Sequence, residues 1–116
     1  MLEDLVELPW LVYRNLDTQI GGVRVKIGEC ILGGWYISNV AVASRFVKLY
    51  NQETVPASTD TPKITLVIPP LSAANVLCEK GIDFEKGLGI RATTVLADSD
   101  ATAPTANDVV VNLFYR

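Results

Sequence analysis

At 116 residues, 49% of them apolar, and with a formal net charge of -3, the chain suits one domain that buries roughly two-thirds of its unfolded surface without staples. Its ten basic residues, outnumbered by thirteen acidic ones, are scattered, which excludes the positive surface that binds phosphate and makes DNA or RNA an unexpected partner. No apolar run approaches the ~20 residues of a membrane-spanning helix, and the start MLEDLVEL is acidic where a secretory leader would be basic, so no membrane partner is expected and the chain should act where it is made.

Residues 1–22 differ from the rest. Leu2, Leu5 and Val6 fit one or two helical turns, Pro9 interrupts them, and LPWLVYR reads as an extended apolar arm before Gly21 and Gly22 break the chain. The expected organisation is an N-terminal arm over 1–22 and a β-domain over 23–116. Trp10 and Tyr13 stand close together in the arm, where large rings either pack on their own domain as a first strand or anchor to a neighbour.

Strand patterns follow one another from residue 23. VRVKI (Val23 to Ile27) alternates apolar and basic residues, and GWYISNVAV (Gly34 to Val42) is rich in aromatic and β-branched types. RFVKLYN (Arg45 to Asn51) is apolar on both alternating sets, as in a strand covered on each face. QETVPASTDTP (Gln52 to Pro62) is long for a hairpin turn and reads as a crossing loop. KITLVIP (Lys63 to Pro69) is ended by Pro69 and Pro70, which cannot donate to a ladder. NVLCE (Asn75 to Glu79), GIDFEKG (Gly81 to Gly87), LGIRATTV (Leu88 to Val95) and DVVVNLFYR (Asp108 to Arg116) complete about eight strands. Short strands with turn signals about every 8–12 residues predict an all-β antiparallel sandwich. The crossing loop favours a Greek-key or jelly-roll arrangement over a meander.

No residue set announces chemistry. The chain has no histidine to activate a Ser or Cys nucleophile. Asp83 with Glu85, and Asp98 with Asp100, are carboxylate pairs in turn-rich sequence, where solvated surface positions are the simpler reading. Cys30 and Cys78 form no CxxC pair and read as small buried hydrophobes in a reducing compartment, too few for a zinc site. Asp98, Asp100, Asn107 and Asp108 offer oxygens for calcium but lack the order of an EF-hand loop, and the same residue types stabilise turns. Gly87 and Gly89 flank Leu88 without the context of a phosphate loop. No enzyme activity, cofactor or metal is expected.

The runs YISNVAVASRFVKLYN, TPKITLVIPP and GIDFEKGLGIRATTVLADSDATAPTANDVVVNLFYR resemble a family of small virion modules of tailed bacteriophages. Shared are an aromatic-Ile-Ser-Asn strand, an R-F-V-K-L-Y-N strand, a T-P-x-x-T-x-x-I-P strand and a G-I-x-F-x-x-G-x-x-I-R-A-T-T pair, over about residues 35–116. The resemblance implies a β-sandwich made in the host cytoplasm and located on the capsid surface. It implies a decoration (cement) role with the major capsid protein as partner, in a homo-oligomer, a trimer being favoured. Self-association would also absorb the apolar surplus. The arm lies outside the shared pattern, and its Leu8, Trp10, Leu11 and Tyr13 are the candidate docking residues. The alternative is a tail or fibre module that binds a receptor glycan, with one ring of Trp35 and Tyr36 as a platform; core packing of both rings is the simpler expectation.

Overall fold

The computed structural model describes residues 8–116; Leu2, Leu5 and Val6, read as helical turns, lie outside the described residues. Among those residues there are eight strands and no helix: β1 Leu11–Asn15, β2 Val23–Ile27, β3 Cys30–Asn39, β4 Arg45–Tyr50, β5 Ile64–Ile68, β6 Ser72–Phe84, β7 Gly87–Thr93 and β8 Val109–Tyr115. They form two antiparallel four-stranded sheets, one in the order β1-β8-β3-β6 and the other β2-β7-β4-β5.

Period-2 alternation explains how the sheets meet. Val109, Val111 and Leu113 of β8, Trp35 and Ile37 of β3, Val47 and Leu49 of β4, and Leu88, Ile90 and Ala92 of β7 all turn inward and, with Leu32, Ile68 and Phe84, form one shared core. Each large aliphatic or aromatic side chain buried here contributes on the order of 1.5–3 kcal/mol. Asn39 is the polar exception, and its amide is satisfied at the sandwich end by the carbonyls of Ala43, Ile68 and Pro69.

Two expectations about elements change. Leu11–Asn15 is extended, as expected for the arm, but it is hydrogen-bonded along β8 as the edge strand of its sheet. The expected boundary at residue 22 therefore falls in the loop between β1 and β2, and the described chain from β1 onward belongs to the sandwich. The runs expected as separate strands at 75–79 and 81–87 are joined: 75–79 and 81–84 belong to one strand, β6, and Gly87 opens β7. Its pairing with β3 jumps from Gly34 opposite Leu77 to Leu32 opposite Ile82, so Cys78–Gly81 bulge outward against the single residue Gly33. Gly81 permits that excursion because its φ is 81°, a conformation L side chains rarely adopt.

Candidate functional site: an open apolar face opposite a roofed one

Register decides which side chains meet. In the first sheet Tyr13, Leu113, Trp35 and Val76 face one another across the four strands on the core side. The adjacent row, Val12, Phe114, Gly34 and Leu77, must point the other way, because successive residues of a strand alternate faces. Next to it lies the row Arg14, Asn112, Tyr36 and Asn75. The outward face is thus an apolar stripe bordered by a polar one.

At one end of the stripe the surface dips into a trough of about 500 Å³ lined by Trp10, Gly33, Tyr36, Leu77, Cys78, Glu79 and Phe114. Its floor is Gly33: a Cβ there would stand 2.6 Å from the Trp10 ring, so the absence of a side chain lets the far end of the indole sit directly against the strand. The Arg116 guanidinium stacks over the same ring, 3.8 Å from its centroid, and donates to the Leu8 carbonyl at 2.9 Å. Tyr36 and Phe114 meet edge to face with centroids 5.3 Å apart, the arrangement their quadrupoles favour. The β6 bulge supplies the rim, with Glu79 as the one carboxylate among the lining residues.

The outer face of the second sheet is covered over β4 and β7 by the protein's own loops, while Val67 of the edge strand β5 stays exposed. Lys48 of β4 stands directly opposite Arg91 of β7, and both are buried along with Tyr50. Arg91 donates to the carbonyls of Ile20 at 3.0 Å and Asp100 at 2.9 Å and to the Tyr50 hydroxyl at 3.0 Å, tying two loops and a strand together. Lys48 donates to the carbonyls of Val95 and Ala97. Burial, reinforced by the Arg91 charge, pushes its ammonium pKa down, while burial pushes the Tyr50 hydroxyl up. Pro56, from the crossing loop, is buried against Gly22 and Gly89.

The Asp98 to Asp108 segment is part of this roof. Asp100 accepts from the Val95 N–H and the Thr102 hydroxyl, contacts that hold its carboxyl below the usual range, the Thr102 bond foremost. Asp108 pairs with Arg45 at 3.1 Å, Asn107 bonds to Asp17 and Leu16, and Asp98 is exposed. These oxygens serve separate partners. Asp83 lies on β6 and Glu85 in the turn that follows it, away from the trough lining.

Among the candidate docking residues, Trp10 walls the trough, and Leu8 holds Arg116 through its carbonyl. Leu11 and Tyr13 sit in register with Tyr115 and Leu113 on the core side of β1, and Tyr13 packs against the core. Trp35 and Tyr36 do not both pack inward, as adjacent strand residues cannot: Trp35 is buried and Tyr36 is 45% exposed on the outer face. Cys30 is buried and its thiol is pushed by that burial up to about 11. Cys78, also read as buried, is only half-buried because the bulge carries it to the rim. Sequence reasoning missed Gly33, Leu77 and Phe114; the Gly33-Gly34 pair inside a strand pattern was the available signal, since such glycines mark bulges or close approach. Comparison with known proteins returns no match: no family model fits the chain, and no curated protein or solved structure is significantly similar to it.

Proposed function

We propose that the protein is a non-enzymatic virion structural module of a tailed phage, a capsid decoration protein that docks on the shell through the open face of its β1-β8-β3-β6 sheet. The virion context comes from the resemblance of its strands to small phage modules. One observation carries the docking role: the two outer faces are treated differently, one roofed over its central strands β4 and β7 by the chain's own loops and the other left apolar and open across the described residues, with Val12, Tyr36 and Leu77 all exposed. Patches of that kind mark interaction sites.

In a jelly roll a long antiparallel hairpin is folded over itself, pairing first strand with last, second with seventh, third with sixth and fourth with fifth. The pairs β1 with β8, β2 with β7, β3 with β6 and β4 with β5 support that topology. A module binding only the assembled shell, at junctions of the major capsid protein, stabilises it by mass action, and repeated sites amplify weak contacts. Purified protein should therefore co-sediment with empty shells of its major capsid protein and raise their melting temperature. Trp10→Ala with Tyr36→Ala should weaken that binding by about tenfold or more. Absence of co-sedimentation would refute the decoration role.

A second reading is favoured by the trough itself. Three rings, Trp10, Tyr36 and Phe114, surround a cleft with one carboxylate, Glu79, a chemistry suited to a sugar ring of a receptor glycan. Binding of the isolated protein to a glycan array, lost in Trp10→Ala, would favour this alternative over the shell.

A further inference from the structure

We infer that the free edge of β6 is a self-association site at which two copies join their first sheets by antiparallel β6 to β6 pairing about a two-fold axis at Asn75. Among the described residues four strands end a sheet, namely β1, β6, β2 and β5, and three of them carry devices that discourage pairing. β1 is preceded by Pro9 and holds Arg14. β2 contains Arg24 and Lys26 with a bulge between them. β5 is five residues long, bracketed by Pro62-Lys63 and Pro69-Pro70. The stretch Ser72–Leu77 of β6 has no charge and no proline and stops where the bulge begins. It is regularly paired to β3 on one side, and all of it but Ala74 is exposed, Val76 at 40% and Leu77 at 68%. Neutral charge matters here, because antiparallel pairing sets the side chains of this stretch directly against those of the same stretch in the second copy.

Symmetry fixes the register. An axis perpendicular to the sheet keeps each side chain on its own face, and directly opposed residues of an antiparallel pair share a face, so the axis must pass through a residue and not between two. Centred on Asn75, the pairing sets Leu77 against Ala73 of the second copy on the outer face and Val76 against Ala74 on the core side. Each large side chain then meets a small one, and the two Asn75 amides meet each other. The axis also leaves the two apolar troughs open on one face, on opposite sides of the axis, since Leu77 is a wall of each. This association does not depend on the virion reading.

Sedimentation of the full chain from about 1 to about 200 μM should show a reversible monomer-to-dimer equilibrium. Leu77→Lys, which places an ammonium on the pairing edge opposite Ala73 of the second copy at an already exposed position, should shift the midpoint to at least about tenfold higher concentration. Val67→Lys, on an exposed position of the other sheet, should leave it unchanged. In a Cys78→Ser background, Asn75→Cys should form an intermolecular disulfide under mild oxidation, because opposed antiparallel residues have Cα separations of about 4.5–5.5 Å, within disulfide range. Amide exchange of wild-type residues 72–77 should slow with concentration, a reading that requires no variant to fold. A monomer throughout the range, an oligomer insensitive to Leu77→Lys, or a dimer that Asn75→Cys fails to cross-link would each overturn the inference.

Discussion

Gly33 is the residue on which the trough depends. A side chain at this position meets the far end of the Trp10 indole, the nearest ring atoms at 2.6 Å, and that ring is 37% exposed and lies outside the core. Gly33→Val should therefore cost little stability, about 1 kcal/mol or less, while displacing the ring. Tryptophan fluorescence should shift and shell or glycan binding should fall together, which separates loss of the site from loss of the fold. The two thiols give an independent check of the same geometry. Cys30, buried and held protonated with its pKa raised to about 11, should resist a thiol reagent in the native protein, whereas Cys78 on the trough rim should react. Native titration should count one thiol, none in Cys78→Ser, and two after denaturation.

At the level of elements, the roof over the second sheet hangs on one guanidinium. Replacing Arg91 with Met keeps the stem but strands the carbonyls of Ile20 and Asp100 and the Tyr50 hydroxyl, three groups it bonds at 2.9–3.0 Å. The expected loss is about 2–4 kcal/mol in chemical denaturation, with amide exchange in residues 16–22 and 94–102 accelerating first. The strands themselves were largely legible. VRVKI, RFVKLY and the final VVVNLFY carry alternation or two-sided apolarity that sets both extent and inward face. The Arg45 to Asn51 run, read as covered on both sides, owes its outer cover to loops folding over Lys48 and Tyr50. What was not legible depended on partners far along the chain: the arm became β1 because β8 offers it an edge, and β6 stayed continuous because β3 pairs on both sides of the bulge. The trough was hidden for the same reason, since Trp10, Gly33, Leu77 and Phe114 are brought together only by register.

For the whole molecule, pH should act mainly through buried neutral groups. The Cys30 thiol has an ordinary pKa of 9.0 and a folded value of about 11. Its contribution is fully present below pH 9 and is lost as pH rises through that window, because only the unfolded thiol ionises there. Tyr50, raised above its ordinary 10.0, acts in the same direction. Lys48, lowered from 10.5, acts oppositely, favouring the fold more as the unfolded lysine loses its proton. Stability measured from pH 8 to 11 should therefore decline less steeply in Cys30→Ala than in the wild type. On the acid side Asp17, Asp60 and Asp100 are lowered by hydrogen bonds, to Asn107, Gln52 and Thr102 respectively. Their support is present above pH 3.8, the ordinary value, and is lost as pH falls through the lowered ones.

The molecule roofs the centre of one sheet with its own loops and presents the outer face of the other. The most direct measurement is the alkylation rate of Cys78 in the free protein and with saturating empty shells. Docking through the open face predicts that shells slow the reaction by about tenfold or more, while an exposed control thiol introduced on the roof, Asp98→Cys in a Cys78→Ser background, keeps its rate. An unchanged Cys78 rate with shells bound, or protection of the roof in its place, would contradict the account.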